Sequence, residues 1–437
     1  MDITANLVFG VVSDIHMHEV GGEGTLVSAF EYFRDHGADA VAIVGDMANT
    51  GLIEQLQIVA DVWKRVFPED KAPDGRSVER LFIYGNHDWE GQFYGDYVLK
   101  KYPDEVEQYK HLIQTDPKAA WEKVFGEPYE PIWTKYVKGY AFVGTNWMAN
   151  DEAAAYLEKH APAFDPSKPF FYLQHRHLKD TCYGAWAWGH DEGDAGRVLA
   201  KYPNAFALSG HSHYTLTDER SVWQGAFTAI GTSSLHYTAT DYSLRENMPR
   251  NRYGYKDEKR PHRMDNLFTG DGRQGMLFKV FGDRVEIERR EFVTGRSLGA
   301  DWVLPATVRD GSPFAFAEHA ARRVAPEFAA GASAAAVKDG DRITVSFPAA
   351  QTRCTCRVFE YDVRAILEED DVSLVQASRR VMAPDFHLPE TPEGRPGFCV
   401  FACEDLPYKG RYRFEVRPVE CFRHVGAPIS SNYVAVE

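Results

Sequence analysis

The sequence contains no uninterrupted apolar run approaching the roughly 18 residues that a membrane-spanning helix needs, which argues against a helical span. Basic excess is also missing. Lys and Arg number 49 against 64 Asp and Glu, leaving a formal net charge of −15, the wrong sign for a protein that coats nucleic acid with a basic face. The N-terminal stretch MDITANLVFGVVSDIH lacks both the basic n-region and the small-residue cleavage pattern of a signal peptide, so a cytoplasmic location is expected. Cysteine is scarce. There are six, and Cys354, Cys356, Cys399, Cys403 and Cys421 fall in the last fifth of the chain. Cys354 and Cys356 are spaced to share one face of a strand. No Cx2C pair occurs, which argues against a cysteine-rich metal site. Without a secretion signal, buried free thiols are expected ahead of disulfides.

What is present is an ordinary globular composition, 44% hydrophobic and 26% charged over 437 residues, long enough for two domains. Short apolar runs, LVFGVV, AVAIV, RLFIY, YAFVG, FFYLQ and AFALS, read as buried strands. Between the first two, Leu26, Phe30 and Phe33 recur at helical spacing, with Gly37 placed as a C-terminal stop; IEQLQIVADVWKRVF repeats the pattern. Strand–helix alternation of this kind predicts an α/β domain with largely parallel central strands over residues 1–300. Gly282-Asp283 predicts a hairpin between two closing strands. Residues 301–340, rich in Ala, Gly and Pro, are expected to be a linker. Residues 341–437 alternate as antiparallel strands do, predicting a small β-sandwich similar on pattern alone to immunoglobulin or fibronectin III modules. No internal repeat is found.

Five predicted strands of the first domain end on groups able to bind metal. VVSDIH delivers Asp14 and His16, AIVGD delivers Asp46, and FIYGNHD delivers Asn86, His87 and Asp88. FYLQHRH then delivers His175 and His177, and ALSGHSH delivers His211 and His213. In open α/β sheets ligands bind beyond the carboxyl ends of the strands, so residues scattered over about 200 positions are expected to meet at one edge. Carboxylates, an amide oxygen and imidazoles, with no thiolate, suit a pair of borderline divalent cations. Asp46 is the natural bridge. Singly, each residue also has a structural reading: Asp14, Asp46 or Asn49 as caps, His177 or His213 as a satisfied histidine, Asp88 as a brace for its loop.

With these blocks in this order, D-x-H, G-D, G-N-H-D, H and G-H-x-H, the chain resembles the calcineurin-like metallophosphoesterase family over roughly residues 5–300. The resemblance implies a four-layer αββα sandwich with the motif loops at one edge. It implies two divalent metal ions, manganese, iron or zinc, one held by Asp14, His16, Asp46 and His213, the other by Asp46, Asn86, His175 and His211. His87 matches the family histidine that contacts the phosphoryl oxygen or protonates the leaving group, and Asn49 matches the residue that helps orient it. The purple acid phosphatases carry Tyr where Asn49 stands and lack the first-motif His, so the chain does not look like one of them. His177 stands where Pro is common in the family, which favours His175 as the ligand. The expected activity is attack of a metal-activated hydroxide on a small-molecule phosphodiester, a cyclic nucleotide being one candidate. A phosphomonoesterase and a non-catalytic metal-binding scaffold are the alternatives. Tyr183, Trp186 and Trp188, together with Asn146, Trp147, His190 and His236, are further residues expected either to line the cleft or to pack.

Overall fold

The computed structural model describes residues 4–18, 22–89, 116–183, 190–239, 272–353, 355–369, 372–391 and 394–437. Two compact units are present. Over the described residues, the first comprises the chain to Leu216, 220–239 and 272–318; the second comprises Thr217–Glu219 and His319–Glu437.

In the first unit, β1 (Leu7–Val12), β2 (Ala40–Val44) and β3 (Glu79–Ile83) pair in parallel. Helix α1 (Gly24–Asp35) joins β1 to β2, and α2 (Ile53–Val66) joins β2 to β3. Helix α3 (Pro117–Phe125) then leads to a second sheet. That sheet is built from β4 (Ile132–Val137), β5 (Tyr140–Thr145), β6 (Phe170–Gln174), β7 (Ala205–Ser209), β8 (Val222–Gln224) and β9 (Thr228–Gly231), in the order β4-β5-β6-β7-β9-β8. Its central strands β5, β6, β7 and β9 are parallel. Helices α4 (Ala153–His160) and α5 (Asp194–Leu199) are its crossovers. The chain returns to the first sheet through β10 (Gln274–Val280), β11 (Arg284–Glu291), β12 (Arg296–Ser297) and β13 (Trp302–Pro305). The predicted hairpin closes where the Phe281 N–H donates to the Arg284 carbonyl, 2.8 Å.

Alternation along β2 sets the layering. Val41 and Ile43 pack with Phe30, Phe33 and Trp63 of the helices. Ala40, Ala42 and Val44 face the opposite way, into a core shared with Phe142, Phe171 and Phe206 of the second sheet. The far side of the second sheet, Val143, Tyr172 and Ala207, packs on Leu157 and Val198 of α4 and α5. Sheet faces buried on both sides read as continuous apolar runs, as AVAIV and FFYLQ do. The result is four layers, helices–sheet–sheet–helices, with mixed sheets.

Helix α6 (Phe316–Ala321) precedes the all-β part of the second unit. There β14 (Ala335–Asp339), β15 (Arg342–Phe347), β16 (Val358–Glu369), β17 (Val372–Met382), β18 (Gly397–Ala402), β19 (Gly410–Glu420), β20 (Ile429–Ser430) and β21 (Val434–Val436) form two antiparallel sheets, β14-β15-β18 and β17-β16-β19-β20, with β21 on β19. Ile343, Val345 and Phe401 of one sheet meet Tyr361, Val363 and Phe414 of the other in one core. The stretch expected to be linker is thus partly strand: β13 extends the first unit beyond residue 300, and β14 opens the second unit's sheet before 341.

Candidate metal centre

The loops after β1, β2, β3, β6 and β7 meet at the carboxyl ends of both sheets and bring together Asp14, His16, Asp46, His87, His175, His211 and His213. Asp14, His16 and His213 form one cluster of candidate donors; Asp46, His175 and His211 form another, and His87 adjoins His16 and Asp46. The backbone itself is held in tension here. Asp14, His16, Asp46, His211 and His213 all have φ between +46° and +69°, a region that costs a non-glycine residue about 1–3 kcal/mol and clusters at functional sites. Glycine precedes each of three motif residues for a steric reason. A Cβ on Gly45 would lie 2.3 Å from His175 Nδ1, one on Gly85 2.1 Å from Asp46 Oδ1, and one on Gly210 2.5 Å from Asp14 Oδ2.

Within this space, His175 Nε2 lies 3.0 Å from Asp46 Oδ2 and 3.8 Å from Asp14 Oδ1. His213 Nε2 lies 3.2 Å from Asp14 Oδ1, and His16 Nε2 lies 3.8 Å from Asp46 Oδ2. The two nitrogens His16 Nε2 and His213 Nε2 face one another at 3.1 Å. At a metal–nitrogen length of about 2.1 Å, that chord corresponds to two ligands roughly 95° apart on one cation. Second bonds fix the rings. His175 Nδ1–H donates to the Val44 carbonyl at 2.7 Å and His213 Nδ1–H to the Tyr237 carbonyl at 3.0 Å, directing both Nε2 lone pairs inward.

The charges follow from this packing. Burial alone would raise the Asp14 carboxyl, but His213 and His175 outweigh it and hold it down at about 2. Asp46 is likewise lowered against its burial, by His175 and then His16. Burial opposes charge on His175 too, yet Asp46 and Asp14 raise it to about 9. His16 is held well below the usual imidazole range by burial and by His213. Buried carboxylates kept ionised are what a divalent cation requires of its donors, and His175 would release its proton on binding one. Asn86 completes the test of fit: its Oδ1 is buried with no hydrogen-bond partner, an orphan that a cation at this position would satisfy.

His87 stands beside the cluster, its ring 4.5 Å from that of His16. Its Nδ1–H donates to the Asn49 carbonyl at 2.8 Å, and its backbone N–H to Asp46 Oδ1 at 2.9 Å. Asn49 therefore orients His87 through its backbone carbonyl. Asp88 is fully buried; its two oxygens accept from the Ala48 and Gly85 N–H groups, each at 2.8 Å, so it braces the loops. Burial, then the charge of Asp46, pushes its carboxyl up to about 7. His177 lies outside the donor clusters: its Nε2 is 2.8 Å from Ser212 Oγ, and burial lowers it to about 4.

Among the remaining expectations, the Trp147 ring lies tilted 5.5 Å from that of His211 and edge-on 5.9 Å from that of His175, and Arg176 covers its ring at 4.3 Å. His236 lines the His16 side at 5.5 Å between rings. Asn146 is structural, its Oδ1 accepting from Tyr84 N–H at 2.6 Å, and Tyr183 packs under Arg220. His190 Nδ1 bonds the Asp191 carbonyl at 2.6 Å. Trp186 and Trp188 lie outside the described residues. Sequence reasoning missed the polar run after β9. Ser13 Oγ donates to Asp14 Oδ2 at 2.6 Å and meets Thr232 Oγ1 at 2.7 Å, while Ser234 Oγ donates to the Asp14 carbonyl at 2.9 Å. The signal was GTSS closing an apolar strand.

Two mixed sheets between helices, with His, Asp and Asn side chains gathered at their carboxyl edge, define an α/β domain with a candidate metal centre. Residues 7–215 match the model of the calcineurin-like phosphoesterase family. Solved structures to which the chain is similar include the one described as GAP50, the anchor in the inner membrane complex of Plasmodium, with 12% identity, 70% of this chain and 89% of that chain covered and a TM-score of 0.39. A predicted phosphoesterase from Streptococcus pneumoniae is 12% identical, with 68% and 97% covered and a TM-score of 0.31. Vacuolar Protein Sorting 29 from Cryptosporidium parvum is 9% identical, with 69% and 98% covered and a TM-score of 0.31. No curated protein matches the chain.

Proposed function

We propose that the chain is a dinuclear metal-dependent phosphodiesterase. The observation that carries the reading is the convergence of seven donors from five strand ends, five of them on strained backbone and one, the Asn86 amide oxygen, orphaned. In this reading Asp14, His16, Asp46 and His213 hold one divalent cation, and Asp46, Asn86, His175 and His211 hold the other. Two such ions, manganese, iron or zinc, supply Lewis-acid activation of water and neutralise the phosphoryl oxygens. The protein's own part falls to the donors and to His87. Hydrogen bonds to Val44 and Tyr237 hold His175 and His213 rigid. With Nδ1–H committed to the Asn49 carbonyl, His87 meets the phosphoryl group or the departing alkoxide through Nε2, and in its imidazolium form protonates that alkoxide.

Preference for a diester is supported by the D-x-H and G-D-x-x-N motif forms and by His16 and His236, both held neutral by burial. A monoanionic diester needs less compensating charge than a dianionic monoester. The alternative, a phosphomonoesterase, is favoured by one feature: the Arg176 guanidinium poised over Trp147 beside His211. The second unit, read as an immunoglobulin- or fibronectin III-like module, contributes no catalytic group.

The test is hydrolysis of bis-p-nitrophenyl phosphate against p-nitrophenyl phosphate by the manganese-loaded full chain. A higher kcat/KM on the diester supports the proposal. A reversed ratio replaces it with the monoesterase reading, and loss of both activities with two metals bound replaces it with a non-catalytic scaffold.

A further inference from the structure

A second group of metal-ligating side chains lies wholly in the second unit and takes no part in the phosphoesterase centre. Glu219, His319 and Cys356 place donor atoms within 4.8 Å of one another, and Cys356 shares a similar cluster with Cys421 and Glu420. All are buried: Cys356 is 1% exposed, Cys421 2%, Glu219 and His319 4%. They come from separate parts of the chain: the Thr217–Glu219 segment, α6, the approach to β16 and the end of β19.

Two edges, both from Cys356, have the dimensions of a tetrahedral zinc site; Cys421 stands outside the Glu219–His319–Cys356 cluster, so its thiol must turn inward to complete the four. Cys356 Sγ lies 3.6 Å from Cys421 Sγ and 3.5 Å from Glu219 Oε2. With zinc–sulfur and zinc–oxygen lengths of about 2.3 and 2.0 Å, the edges of a tetrahedron are roughly 3.8 Å for S–S and 3.5 Å for S–O. His319 Nε2 sits closer to Glu219 Oε2, at 2.6 Å, a hydrogen bond that would open by roughly 0.7 Å to reach the N–O edge of about 3.3 Å. Glu420 is committed elsewhere. Its Oε1 accepts from the His424 N–H and ring, and its Oε2 from the Phe422 N–H at 2.7 Å. Charge also balances. Two thiolates and a carboxylate around a dication leave one negative charge, and Arg323, bonded to Glu219 Oε2, supplies its counterion.

We infer that Cys356, Cys421, His319 and Glu219 bind one zinc-class ion that staples these four segments. The sequence spacing argued against a cysteine-rich site because its signature is local, whereas the donors here are joined only by the fold. Thiolates separate this site from the phosphoesterase centre, which has none.

The test is cobalt loading of the full chain. Expected are three metal equivalents and a near-ultraviolet thiolate-to-cobalt charge-transfer band. Cys421→Ser and His319→Ala should each lower the bound metal by one equivalent, with the band lost or shifted and diester hydrolysis retained; Asp46→Asn should do the reverse. Native protein that binds cobalt without the band overturns the inference, whether its two thiols titrate as free or mass spectrometry finds Cys356 and Cys421 joined as a disulfide. Because the band is read on unmutated protein, misfolding of a variant cannot obscure it, and its failure leaves the phosphoesterase reading untouched.

Discussion

Replacing Gly85 by Ala adds one methyl group at the most crowded point of the metal centre. The new Cβ would lie 2.1 Å from Asp46 Oδ1, 2.6 Å from Asp46 N and 2.8 Å from His175 Cδ2. Ordinary contact with oxygen needs more than 3 Å, so Asp46 must retreat by about 1 Å, while metal–ligand distances tolerate only about ±0.2 Å. Overpacking of this kind costs roughly 1–3 kcal/mol, which for a domain of this size lowers Tm on the order of 5 °C. The larger effect falls on function, because the proposed centre shares Asp46 between both ions. Metal affinity and turnover should each fall at least about 100-fold, the upper end of what disturbing a ligand's supports costs. Metal analysis after gel filtration, calorimetry and diester hydrolysis read the three quantities separately. Gly231→Ala is the control, since its Cβ meets nothing closer than 3.4 Å. A Gly85→Ala protein with two tightly bound metals and native turnover would refute the steric argument and the placement of Asp46 between the ions.

His87→Ala should keep both metals and lose about 10²–10⁴-fold in kcat, the usual worth of a general acid; equal turnover in the variant would remove His87 from the mechanism. His177 gives a pH effect of definite sign. Its folded value of about 4 lies below the ordinary imidazole value of about 6.5, so the folded state binds fewer protons than the unfolded chain between these values. Stability is full above 6.5 and falls as pH drops toward 4, by about 3 kcal/mol in all. Urea unfolding of the chelated protein at pH 7 and 4.5 measures the loss, and His177→Asn should flatten it; an unchanged slope would show that His177 does not titrate as its burial requires.

The donor-bearing edge was legible because two signals coincided. Apolar runs of strand length fixed where the sheets end, and each ended on donors rather than on turn residues alone. What the one-dimensional pattern could not show was the backbone. Left-handed φ at Asp14, His16, Asp46, His211 and His213 is imposed by loops that bond one another, such as Ile15 and His16 N–H groups on the Asp46 carbonyl. Local residue preference would have placed glycine there. The Asn49 carbonyl at His87 was hidden for the same reason, since a main-chain acceptor leaves no trace in residue identity. β14 was read as linker because AAVKD carries little β-propensity; its pairing with β15 supplies what its composition does not. Thr232 and Ser234 were missed because small hydroxyl residues after a strand usually signify only a turn.

Asp88 couples two parts of the site that are 40 residues apart in sequence. One carboxylate holds the main chain at both Ala48 and Gly85, so the segments bearing Asp46, Asn86 and His87 behave as a single rigid jaw. A bulky substrate cannot push the acid group aside without dragging the cation cradle along with it. Accommodation of different ester groups would therefore come from Arg176 and His236, which follow the other strands β6 and β9.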